Sequence, residues 1–208
     1  MIHSIAQKNE FESFLIKSLL FLPFVFSFVL GCKSFQPVSA FSETQITLHK
    51  TFDITQNAPL YDYWRFSYGY SSTLRFPFYW GNVSLGVDLN DFESSDDNLP
   101  SFKTIHPSVG WSIPLVLGPL ALNNGIQFGN AIMRFEDSTT SYRGERVETE
   151  SSVSLMTDIT LSLHKNIGIQ GYYRYNYIYT YHRIKQHYVG VGFVTTFKNS
   201  SAIQKALK

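Results

Sequence analysis

Apolar and polar residues alternate with period two over most of this chain, the mark of β-strands with one apolar face. The longest ladder is 167–181. Ile167, Ile169, Gly171, Tyr173, Tyr175, Tyr177, Tyr179 and Tyr181 share one face, while Gln170, Tyr172, Arg174 and Asn176 fall on the other. In 152–163, Val153, Leu155, Ile159 and Leu161 oppose Ser152, Ser154, Met156 and Asp158. In 188–197, Val189, Val191, Phe193 and Phe197 oppose Tyr188, Gly190, Gly192 and Thr196. Val83, Leu85, Val87 and Leu89 oppose Ser84, Gly86 and Asp88; Ile105, Val109, Trp111 and Ile113 oppose His106, Ser108, Gly110 and Ser112. Trp64, Phe66, Tyr68 and Tyr70 oppose Arg65, Ser67, Gly69 and Ser71.

Two weaker segments complete the set. Residues 46–55 alternate Ile46, Leu48, Phe52 and Ile54 with Thr47, His49, Thr51 and Asp53, with Lys50 on the apolar side. In 124–135, Asn130 and Arg134 break the pattern, which predicts a bulge or a rim. The reading is all-β with eight long strands. Polar connections at 93–98, 136–150 and 182–186 alternate with tighter ones at 73–78, 114–123 and 164–166. That order is an antiparallel up-and-down meander.

Which face points inward decides the function. Eight strands enclose room only for their own side chains or one small ligand. The tyrosines of 173–181, two tryptophans and the many aliphatic residues do not fit there. The opposite face is Gly, Ser, Thr and Asn with a few charges, which suits a narrow lumen. A soluble surface would carry far more Lys and Glu. The apolar face is therefore expected to meet lipid, and barrel closure satisfies every backbone group. Trp64, Tyr68, Tyr70, Tyr173, Tyr175, Tyr177, Tyr179 and Tyr181 would supply aromatic girdles. Asp53, Arg65, Asp88, His106, Asp158, Gln170, Arg174 and Asn176 would line the lumen, with opposite charges paired across it.

The N-terminus adds a location. Lys17 precedes the apolar run Ser18–Leu30, too short to span a bilayer and suited to the core of a cleaved secretory signal. Two exits compete: cleavage after Ala40, or lipidation at Cys32 after Val29-Leu30-Gly31. Residues 1–40 are thus assigned to the signal, 41–198 to the barrel and 199–208 to a short tail.

Composition excludes several functions. Charged residues make up 16% of the 208 and the formal charge is +1, without a basic run, which argues against nucleic acid as the main partner. Removing residues 1–40 leaves 14 basic against 14 acidic residues. The single cysteine excludes an internal disulfide framework. No nucleotide-binding or zinc-protease motif occurs. His182 and His187 lack a third ligand, so no metal or other cofactor is expected.

On these patterns the chain resembles the small eight-stranded outer-membrane barrels of the OmpA/OmpX-like class. The resemblance covers about residues 45–198 and includes Tyr188-Val-Gly-Val-Gly-Phe-Val-Thr-Thr-Phe197, which looks like the closing strand read by the barrel-assembly machinery. The family signal usually ends at the terminal aromatic, whereas here Lys198–Lys208 follow. The resemblance implies a monomer in the outer membrane of a Gram-negative-type bacterium, with a structural or surface-interaction role. Its loops would face lipopolysaccharide, ions or other cells. Two rival readings stay open. One is a secreted or lipid-anchored β-barrel holding an apolar ligand. The other is a lipid A-modifying enzyme, for which His106-Pro107-Ser108 is the nearest match, with Val109 where that motif has Asn.

Overall fold

The computed structural model describes residues 40–55, 59–96, 99–136, 147–180 and 183–206. The signal segment, Cys32 and Tyr181 lie outside them. Eight strands follow in order: β1 (Glu43–Asp53), β2 (Trp64–Phe78), β3 (Gly81–Ser94), β4 (Phe102–Leu117), β5 (Leu120–Phe135), β6 (Val147–His164), β7 (Ile167–Ile178) and β8 (Ile184–Lys198). Each pairs antiparallel with its chain neighbour, and β1 pairs with β8 from Glu43↔Lys198 to Asp53↔Tyr188. The result is a closed up-and-down barrel with no free strand edge, so the ladder hydrogen bonds run all the way round.

The two ends differ. Three connections are tight, at residues 79–80, 118–119 and 165–166, and both termini of the barrel lie at that end. The other end carries the longer connections, with a 3₁₀ turn at Pro59–Asp62 before β2. Beyond Phe197 the chain continues into a short helix, α1 (Ser201–Ala206). Just before it, Asn199 accepts from Thr44 Oγ1 at 2.8 Å and donates to the Phe41 carbonyl at 3.0 Å. The tail therefore begins by clasping the start of β1 across the seam.

The strands extend into every predicted connection, and farthest in two of them. Residues 73–78 and most of 114–123 are strand rather than connection, because Pro77 and Pro114 are accommodated within β2 and β4. A proline lacks only the N–H, so it costs one ladder bond and need not end the strand. Pro107 illustrates this: the β4–β5 register passes from Ile105↔Ile132 to Ser108↔Gly129 without pairing the two residues between. Of the bulge or rim expected in β5, the rim is what is found, and the pairing to β6 is continuous. Asn130 and Arg134 are exposed on the outward face near the long-loop end.

A bulge occurs instead in β2, where the register shifts between Phe66 and Tyr68. Two residues there oppose one on β3, so the inward face switches from odd to even numbers. Below the bulge, Gly69, Ser71, Thr73 and Arg75 are buried inside while Tyr68, Tyr70 and Leu74 are exposed. Above it, Trp64 and Phe66 turn inward and Arg65 is exposed. Two assignments made from alternation alone are corrected here. Arg65 is not a lumen residue, and Trp64 is not part of the outer girdle.

Candidate functional site

The interior is a column of polar side chains under an aromatic cap. Nearest the tight-turn end stands Asp158, 1% exposed. It accepts from Arg75 Nη2 at 2.5 Å, Asn123 Nδ2 at 2.8 Å and Gln170 Nε2 at 2.9 Å. Four strands (β2, β5, β6 and β7) converge on this one carboxylate, and its lone pairs are well used. Gln170 Oε1 faces His49 Nε2 at 2.9 Å, which brings β1 into the same network.

Farther up the column Asp88 accepts from Arg174 Nη1 in a close ion pair, and from His106 Nδ1 at 3.1 Å. His106 Nε2 meets Ser152 Oγ at 2.5 Å. The imidazole thus bridges the Asp88 carboxylate and the Ser152 hydroxyl, one ring nitrogen on each. Serine, histidine and aspartate therefore stand in the order of a catalytic relay, and the serine is Ser152 rather than Ser108. Among the described residues Ser108 Oγ has no hydrogen-bond partner. Next to His106 and Asp88 the cavity is about 10 Å³, bounded by Asn90, Tyr172, Arg174 and Tyr188. That is the space of a single water molecule.

Thr51 and Asn176 also line this cavity; Thr51 Oγ1 meets the Tyr172 hydroxyl at 2.6 Å, and Asn176 Oδ1 accepts from Ser154 at 2.9 Å. The mouth at the long-loop end is apolar. Phe92 and Phe102 stack at 4.7 Å with Met133 beside them, and Trp64, Phe66, Phe135, Leu60 and Tyr61 pack around. The Trp64 indole N–H donates to the Pro100 carbonyl at 2.8 Å. At the rim Asp53 is half-buried and accepts from the Tyr61 hydroxyl and from the Thr55 amide. Among the described residues the lumen charges near mid-barrel balance, Arg75 with Asp158 and Arg174 with Asp88.

Of the residues expected in the lumen, Asp88, His106, Asp158, Gln170, Arg174 and Asn176 are buried inside, and Asp53 stands at its rim. Arg75 and His49 were missing from that set. Arg75 fell in a stretch read as a connection because of Pro77, although its spacing from Thr73 and Ser71 carried the inward parity. His49 stood on the polar face of a weak strand.

The outer face is the reverse of the inner one. Leu48, Phe52, Leu85, Leu89, Ile105, Val109, Phe128, Ile159 and Phe193 are among its exposed apolar side chains. From Ile105 to Leu117 this belt runs about 40 Å along the strand at ~3.3 Å per residue. Allowing for the tilt of barrel strands leaves about 30 Å in height. Tyr68 and Tyr70 lie exposed on it, ring centroids 6.1 Å apart. Tyr173, Tyr175 and Tyr177 are half-buried on the same side, and Tyr179 is exposed just past β7. The tyrosine column reaches deeper than a narrow girdle, and its lowest member, Tyr173, meets His187 Nδ1 at 2.6 Å. This contact occupies one nitrogen of His187, and among the described residues no three ligating side chains gather for a metal. His182 lies outside those residues. A second aromatic band at the tight-turn end includes Tyr79, Trp80 and Trp111, with the two indoles 4.8 Å apart. The belt ends toward the long loops in a polar level of Asp91, Glu93, Lys103 and Arg134.

No protein-family model and no curated protein matches the chain. Solved structures do. The N-terminal β-barrel domain of OprF from Pseudomonas aeruginosa is similar with a TM-score of 0.50 at 9% identity, over 76% of this chain and 99% of that one. Neisserial surface protein A gives 0.47 at 14% identity, over 76% and 96% of the two chains. The attachment invasion locus protein Ail of Yersinia pestis gives 0.47 at 13%, over 75% and 99%. Identities this low speak for architecture alone. The chain has the fold of the small eight-stranded outer-membrane β-barrels.

Proposed function

We propose that the chain is an integral outer-membrane barrel of a Gram-negative-type bacterium, with a structural or surface-interaction role and a lumen closed to solutes. One observation carries this: below the aromatic cap, the face with the large apolar side chains is the outer one on every strand, while the inner one is mainly polar and cross-bonded. In water such a belt would be an exposed patch far larger than soluble proteins tolerate. In a bilayer it is solvated by acyl chains, and its height matches the roughly 25 Å apolar band of such barrels. The short turns then face the periplasm and the longer connections the cell exterior, the usual disposition.

The closed lumen disfavours the two rival readings. A container for an apolar ligand needs an apolar cavity of hundreds of Å³, whereas the space beside Asp88 holds one water. The Ser152–His106–Asp88 relay has no room for an acyl or glycosyl substrate, and its role on this reading is to tie β3, β4 and β6 together.

The test is purification from the membrane fraction, then gel mobility with and without boiling, then reconstitution into a planar bilayer. The proposal expects detergent-dependent solubility, a faster band before boiling and no steady conductance. Recovery from the soluble fraction without detergent would refute the membrane assignment. Stable open-channel currents would refute the closed lumen.

A further inference from the structure

We infer that Lys103 and Arg134 hold the phosphate of a phosphorylated glycolipid of the lipid A type in the outer leaflet, an inference that rests on the membrane assignment above. The two residues are register partners across β4 and β5. Both side chains point outward and are exposed. One level below, Ile105 and Ile132 face each other on the same surface, and Ile105 belongs to the apolar belt. The two cations therefore stand at the first level above hydrocarbon, where lipid headgroups carry their phosphates.

Like charges set directly opposite on a sheet repel, and among the described residues the one ion pair made by these two is that of Lys103 with Asp91. Asp91 reaches Lys103 at 3.5 Å, but the lysine side chain stays 62% exposed. Arg134 makes no ion pair among the described residues, and its register neighbour on β6 is Val147. Elsewhere on the rim the pattern differs: Arg65 stands opposite Glu93. An anion between Lys103 and Arg134 removes the repulsion.

Phosphate suits these two groups. The guanidinium offers a planar fork for two phosphate oxygens, and the ammonium adds a point charge. Both stems can lie along the isoleucines below while the charged ends reach the headgroup level. A glycolipid phosphate brings acyl chains that cover Ile105 and Val109, so one molecule meets the charged and the apolar parts of this surface together. A soluble anion would meet only the first.

Native mass spectrometry of the full chain released from nanodiscs reads the preference. Bisphosphorylated lipid A and its phosphate-free counterpart are offered in equal amounts. The wild-type protein should retain the phosphorylated form by about tenfold or more, the scale of one charge-assisted hydrogen bond. Lys103→Gln with Arg134→Gln should reduce the preference to about twofold or less, and Arg65→Gln should leave it unchanged. The single change Arg134→Gln, at an exposed position, serves if the double variant does not fold, and should lose most of the preference. Undiminished preference in these variants, none in the wild type, or an equal loss with Arg65→Gln would overturn the site. A chain that never enters the nanodisc refutes the membrane assignment instead.

Discussion

Arg174→Met removes one partner from a buried ion pair of the lumen and leaves its shape nearly intact. Arg174 and Asp88 are each 4% exposed. After the substitution the carboxylate keeps His106 Nδ1 at 3.1 Å but loses its permanent counter-charge. Breaking a buried pair by removing one member costs about 3–5 kcal/mol. The contact of the guanidinium with the Tyr172 ring, 5.2 Å from its centroid, is lost as well, worth about 0.5–1 kcal/mol. The methionine returns some apolar burial, so about 3 kcal/mol is the expected net loss. With a urea slope of roughly 2 kcal/mol per molar, the unfolding midpoint should fall by about 1.5 M. The assay is urea titration in lipid vesicles, followed by tryptophan fluorescence and by the unboiled gel band. Adding Asp88→Leu removes both charges and should restore at least half of the loss, because an apolar pair in place of a buried ion pair is often neutral. A loss under about 1 kcal/mol for Arg174→Met would refute the reasoning, as would a double variant no more stable than the single one.

Three further outcomes follow from the same geometry. Arg75→Met should cost about 3 kcal/mol by stranding Asp158, whereas Arg65→Met should change stability by less than about 0.5 kcal/mol; comparable costs in the same urea titration would contradict the face switch in β2. Phe92→Ala, beneath the stacked Phe102, should cost about 3–4 kcal/mol, and a midpoint within error of wild type would contradict the aromatic cap. A Cβ on Gly190 would collide with the Tyr172 ring, and one on Gly192 with the Leu48 carbonyl of the neighbouring strand. Gly192→Val should therefore leave little of the fast-migrating unboiled band, and Gly171→Ala, where the nearest atom is 3.8 Å away, should leave that band intact.

Period-two alternation made the barrel legible, because a strand with lipid outside and a narrow lumen inside must change character at each residue. Asp88, His106, Asp158, Gln170, Arg174 and Asn176 could be assigned to the inner face from parity alone. Parity fails where a residue is inserted. Trp64 and Phe66 are large and apolar in either orientation, since the belt below and the cap above both want such residues, so nothing in the residue types marks the inversion that puts Arg65 outside. Arg75 was hidden by Pro77, whose turn preference is outweighed when both flanking strands supply the rest of the ladder. The Ser152–His106–Asp88 relay was beyond reach for a different reason: its members come from three strands, and only register brings Ser152, rather than the nearby Ser108, to the imidazole.

Nitroxide scanning along β4 tests the lipid-facing belt most directly. With Cys32 changed to Ser, single cysteines from Ile105 to Ile113 would be spin-labelled in lipid vesicles, and collision rates with oxygen and with a water-soluble nickel complex measured. Oxygen access should alternate with period two, with maxima at Ile105, Val109 and Ile113 and little nickel access at those sites. Maxima at His106, Ser108 and Ser112, or nickel reaching Val109 freely, would contradict it.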